Sequence, residues 1–227
     1  MTDLRASAAP PSLGDLINSG IDYAKSAKAT IPYVVASLGA MILPALLGPT
    51  FGGILAFVCS IATIFIGLMA SREAITGEFA YKDSDPMAAL KLVGIGILIG
   101  IVLMIFAMIL AMILGISYVG ILISSLVLMA IIVAAIARIA FVFPALAMND
   151  PISVQSVLNQ TAPYWIPLIG LFIAAALPNV LLSALFGGFG GFIGLIFKLI
   201  GAVISVVVGL VALGAVSRLY GQRARSA

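Results

Sequence analysis

The chain contains no histidine and a single cysteine, Cys59. A disulfide framework is thereby excluded, and the common ligands of haem, zinc and chlorophyll are missing, so no cofactor or metal is expected. Charge is equally scarce. Only 8% of the residues are Asp, Glu, Lys or Arg, against roughly 25% in an ordinary soluble domain. A net charge of +3 is too small for a nucleic-acid surface, and no such partner is expected. Thr2 follows Met1 where myristoylation needs glycine. Residues 1–30 hold Asp3, Arg5, Asp15, Asp22, Lys25 and Lys28 without an apolar core segment. Neither a lipid anchor nor a secretory signal peptide is expected. No phosphate loop, dinucleotide fingerprint or metalloprotease helix appears.

What is present is apolar chain: 63% of the 227 residues, with a mean hydropathy of +1.31. Crossing a hydrocarbon core of ~30 Å takes about 20 apolar residues in a helix. Six runs approach or exceed that length: 31–47, 51–70, 92–114, 119–148, 164–186 and 192–217. The connectors after the first, third and fifth runs carry no charge. The other connectors and both tails hold Arg5, Lys25, Lys28, Arg72, Lys82, Lys91, Arg218, Arg223 and Arg225. By the positive-inside rule, both termini and the two longer loops are cytoplasmic, in a plasma (inner) membrane. The expected fold is an all-α membrane protein, a bundle of six transmembrane helices in three hairpins. Residues 1–30 form a cytoplasmic tail, 31–217 the membrane domain and 218–227 a basic cytoplasmic tail.

Two charges interrupt the apolar runs, Arg138 and Lys198. The fourth run is 30 residues, about 45 Å of helix, too long to lie wholly in hydrocarbon. Twenty residues counted from Val119 reach Arg138, which places it at the cytoplasmic interface. Residues 139–148 then run along or beyond that interface, with Pro144 permitting a bend. Twenty residues counted back from Ser217 reach Lys198, which falls at the outer interface. Residues 187–197 become an outer segment, either interfacial or shallowly re-entrant. Both charges snorkel.

The polar segments are patterned too. Ser12 and Asp15 have capping-box spacing, and Leu13, Leu16, Ile17, Gly20, Ile21 and Ala24 share one helical stripe. This predicts an amphipathic helix on the inner leaflet. Asp85-Pro86 and Asp150-Pro151 read as an N-cap with a first-turn proline, opening short surface helices before the third and fifth runs. Hairpins one and three also match. Ile31-Pro32 and Leu43-Pro44 parallel Ile166-Pro167 and Leu177-Pro178, and Ser71-Arg72 parallels Ser217-Arg218. The matches suggest a parallel internal repeat.

The stretch from Ala137 and Arg138 through Pro144 to Asn149-Asp150, then 154–160 and Tyr164-Trp165, resembles the third-loop signature of the YciC-like group. That group includes the membrane domain found beside glycerophosphodiester phosphodiesterases. Gly77, Glu78 and Phe79 with 87–91 resemble its second loop, and Leu219-Tyr220 its C-terminal tail. The resemblance implies a six-span inner-membrane protein. It implies no catalysis, because the matching residues belong to the membrane part alone.

Catalysis needs a positioned acid, base or nucleophile. The carboxylates Asp3, Asp15, Asp22, Glu73, Glu78, Asp83, Asp85 and Asp150 all fall on the cytoplasmic side. They read as solvated loop charges beside Arg72 and Lys82. The expected function is therefore non-enzymatic: a membrane scaffold or accessory protein whose partners are lipids and other membrane proteins. Arg72, Arg138, Arg218, Arg223 and Arg225 are its candidate lipid-headgroup contacts. The alternative is a transporter or channel with a solute path along Pro44, Pro178, Asn179 and Ser183, where Pro178-Asn179 opens a helix. The spacings Gly96–Gly100, 187–191 and 190–194 allow close helix packing and homo-oligomers.

Overall fold

The computed structural model describes residues 10–114, 118–151, 153–186 and 191–224, and the regular structure among them is helical. Helix α1 (Leu13–Ser26) opens in a capping box. The Asp15 amide donates to Ser12 Oγ at 3.2 Å, and the Ser12 amide donates to Asp15 Oδ2 at 3.0 Å. Both orphan donors of the helix start are satisfied as the Ser12–Asp15 spacing predicts. The Ser12 hydroxyl, then its amide, hold the Asp15 carboxyl below the usual range. Helix α2 (Thr30–Leu47) leaves α1 at 97°. A wide turn at Gly48–Gly52 leads into α3 (Gly53–Thr76), which stops on Gly77 in the left-handed conformation, φ 84°. Glycine takes that conformation without steric cost.

There follow α4 (Asp85–Leu114), α5 (Tyr118–Ile139), the short α6 (Val142–Met148), α7 (Val154–Thr161), α8 (Trp165–Phe186) and α9 (Gly191–Ala224). Five stretches are long and apolar enough to cross a membrane: Thr50–Thr76, Asp85–Leu110, Val127–Met148 through α5 and α6, Gln155–Pro178 through α7 and α8, and Leu199–Arg223. The bent pair α1 and α2 makes a sixth if it is one crossing. The long helices pack as α2 on α3, α4 on α5 and α8 on α9, with α9 also touching α1, α3 and α2. The largest buried cluster includes Leu16, Leu68, Phe141, Leu146, Leu168 and Val216. It lies toward the end of the bundle where α1, α6 and α7 gather, called the charged end below.

Several expectations are corrected. The run 119–148 is not one helix, and its break falls at Ala140-Phe141, upstream of Pro144. Pro144 is the third residue of α6. It has no amide hydrogen to donate to the Ala140 carbonyl, which suits the first turn of a new helix better than the interior of a continued α5. The segment α6 is covered by protein. Val142, Pro144, Ala145, Leu146 and Ala147 are buried, packed on α3, α4 and α9. The lead-in before the third run is not a separate surface helix, because α4 is continuous from Asp85. Asp150 is not an N-cap, since α7 begins at Val154 with a capping box between Ser153 and Ser156.

The ends of the chain also differ from expectation. Residues 187–190 lie outside the described residues, and 191–197 are helical, forming the first turns of α9. The residues from Arg218 to Ala224 are not a tail. They extend α9, with Leu219 and Tyr220 buried. The apolar stripe of α1 faces protein instead of lipid. Leu16, Gly20 and Tyr23 are buried, and α1 packs mainly on α9. Two glycines permit this approach. A Cβ on Gly20 would collide with the Val211 carbonyl, and one on Gly214 with the Tyr23 ring.

Candidate functional site

Arg72, at the charged end of α3, is 1% exposed, and Asp85, which opens α4, is 0% exposed. Their two-point contact runs from Nη2 to Oδ1 at 2.6 Å and from Nη1 to Oδ2 at 3.3 Å. Arg72 Nε and Nη2 also donate to the Ala147 carbonyl at 3.1 and 2.8 Å, and Nη1 donates to the Ala80 carbonyl. Ala147 is the second-last residue of α6, so its carbonyl has no partner along the helix and sits at the negative end of the helix dipole. Asp85 Oδ2 takes a further bond from the Lys82 amide at 2.9 Å. One guanidinium thus joins α3, α4, α6 and the loop 77–84. Arg72 is therefore not a headgroup contact. The loop folds over it, and only a planar fork with five donors serves all these acceptors together.

Glu73, the next residue, is not a solvated loop charge either. Its carboxylate accepts the Lys28 and Ala29 amides at 2.8 and 3.1 Å, at the start of α2. No side chain within α2's own start does this, so Glu73 caps the helix from another element, where the dipole favours negative charge. The Tyr23 hydroxyl donates to the Ala70 carbonyl at 2.7 Å and reaches Glu73 Oε2 at 3.4 Å. Burial, then the neighbouring Glu73 charge, pushes the Tyr23 phenol well above its usual range.

α9 supplies the other half of the cluster. Ser217 Oγ donates to Ser71 Oγ at 3.0 Å, with both residues buried where α3 meets α9. Arg218 is half-buried. It donates to the Ser19 carbonyl at 2.9 Å and lies over the Tyr23 ring, 5.6 Å from its centroid. The Tyr220 hydroxyl donates to Asp150 Oδ2 at 2.5 Å, and its ring meets Phe141 edge-on at 5.5 Å. Arg223 donates to the Gln160 carbonyl. Arg138, in the last turn of α5, is half-buried, and its carbonyl accepts the Thr161 hydroxyl at 2.8 Å. Arg225 lies outside the described residues.

The residues of the alternative solute path are spread out. Pro44 is internal to α2 and Pro178 to α8, both half-buried. Asn179 and Ser183 belong to α8, but their side chains lie outside the described residues. The same holds for the side chain of Lys198 within α9. Cys59 is half-buried against Gly39.

The charged end thus brings together four of the five arginines read as headgroup contacts, three of them turned inward onto carbonyls. Among the described residues no group of three His, Cys, Asp or Glu could hold a metal ion, and Arg72–Asp85 is the salt bridge found. Tyr23 and the pairing of Asp85 escaped sequence reasoning. The available signal was two opposite charges, Arg72 and Asp85, on either side of a short polar segment with Gly77 at its head. Compared with known proteins, the chain matches no family model, no curated protein and no solved structure.

Proposed function

We propose that this chain is a non-enzymatic integral protein of a plasma (inner) membrane, acting as a scaffold or accessory factor through lipid and protein contacts. Both termini are assigned to the cytoplasm, where Lys25, Lys28, Lys82 and Lys91 and the charged ends of the helices also fall. The observation that carries this reading is the use made of the buried charges. Arg72 and Asp85 bond to each other, Arg72 also to the end of α6 and Asp85 to a loop amide, while the half-buried Glu73 holds the amides at the start of α2, which is the work of a rigid frame. Arg138, Arg218, Arg223 and Arg225 remain the candidate headgroup contacts, and of the three among the described residues Arg218 and Arg223 already donate to carbonyls. Kinship with the YciC-like group belongs to the same proposal. A parallel repeat of hairpins one and three is supported by Ser71 and Ser217, the residues it pairs, which bond to each other.

The test is reconstitution in vesicles with and without anionic lipid. The expected outcome is no flux of ions or small amphipathic solutes above protein-free vesicles. Anionic lipid is expected to co-purify with the chain and to be reduced by Arg138→Gln. Flux that Asn179→Leu abolishes at unchanged expression would overturn this reading in favour of a solute path.

A further inference from the structure

α4 is two different structures end to end. Its first turns are fixed: Asp85 is held by Arg72, and Ala88 and Ala89 are buried in the main core. From Lys91 onward no described residue of α4 is buried. The window that qualifies α4 as a membrane crossing has 0% of its residues buried, against 17% to 44% in the other four. Leu92 and Ile95 are the last residues of α4 that lean on the main core, and three glycines, Gly94, Gly96 and Gly100, fall where that packing runs out, with nothing within 4 Å of a Cβ on any of them. They are not there to admit a neighbouring helix of this chain. The other role of glycine in a helix interior is to weaken it, since the backbone is freer and no side chain packs along the turn.

We propose that α4 is a hinged arm: a base at residues 85–91 locked to the bundle, a soft segment at 94–100, and an outer arm at 101–114 that swings in the membrane plane. The outer arm carries Met104, Met108 and Met112, all exposed, and unbranched methionine side chains adapt to changing surroundings. α5 is itself held by α7 and α8, so the arm swings relative to α5 and alters how much of the flank beside α3 and α6 faces lipid. This device is independent of the scaffold reading and of any solute path.

The experiment is electron-spin distance measurement on the full chain, one copy per lipid nanodisc, in a Cys59→Ala background. One label pair, Met112→Cys with Leu46→Cys, reports the outer arm against α2. A second, Leu90→Cys with Ile31→Cys, reports the base. All four positions are exposed. The expected result is a broad or two-peaked distribution for the outer pair and a narrow one for the base pair. Replacing Gly94, Gly96 and Gly100 together by alanine is expected to narrow the outer pair toward the width of the base pair. Those substitutions enter open space, so misfolding by steric clash does not confuse the outcome. An outer pair as narrow as the base pair in the unaltered chain overturns the proposal. So does a broad outer pair that the three alanines leave unchanged.

Discussion

A single guanidinium decides much of this protein, and its energetics can be ordered from its contacts. Replacing Arg72 by methionine strands the Asp85 carboxylate and leaves the Ala147 and Ala80 carbonyls without this donor. Replacing Asp85 by leucine strands a cation that still has both carbonyls. Breaking a buried pair by removing one partner costs about 3–5 kcal/mol, and Arg72→Met is expected at the upper end with Asp85→Leu below it. The double variant is expected to cost less than the sum, because no uncompensated charge remains. Unfolding in mixed detergent micelles, followed by circular dichroism, measures all three. An Asp85→Leu cost under about 1 kcal/mol, the worth of an exposed pair, would show that the contact is not the lock described. In the sequence Arg72 read as a headgroup contact and Asp85 as a solvated N-cap. Their pairing could not be read, because depth along a helix is legible from residue counts while direction around it is not.

At the level of elements, the start of α1 was legible, whereas the starts of α4 and α7, the end of α9 and the docking of the helices were not. The capping box of α1 and the proline break before α6 follow from local chemistry. The stripe on α1 looks the same whether lipid or another helix covers it. Its partner was decided by Gly20 and Gly214, whose missing Cβ atoms let α1 lie against the α9 backbone. Overpacking a tight contact costs about 1–3 kcal/mol, and the obstacle at Gly20 is backbone, which cannot rotate away. Gly20→Leu is therefore expected to undock α1. Lys25 and Lys28 are exposed beside the bend, so trypsin reports the change directly. Cleavage there is expected to be faster in the variant, and an unchanged rate would mean that Arg218 and Tyr23 suffice to hold α1.

Across the whole molecule, the packing of α2 on α3, α4 on α5 and α8 on α9 was legible because uncharged and charged connectors alternate, whereas the burial of α6 was not. α9 has 34 residues, about 51 Å of helix against a hydrocarbon core of ~30 Å. α1, α6 and α7 meet α9 along its last turns, where Val211, Gly214, Arg218 and Arg223 face them, and there the helix ends find partners in side chains from other elements. Such a lock has a distinct salt response. Exposed charges separated by more than about 8 Å are screened at physiological ionic strength, and by more than ~3 Å at 1 M. Arg72 and Asp85 lie out of solvent, and Arg218 and Arg223 bond to carbonyls, not to carboxylates. The unfolding midpoint is therefore expected to move little between low salt and molar salt. A steep loss with salt would place the stabilising charge among the exposed residues Asp22, Lys25, Glu78, Lys82 and Asp83. It would also predict that Arg72→Met is tolerated, so the salt series and the substitution check one another.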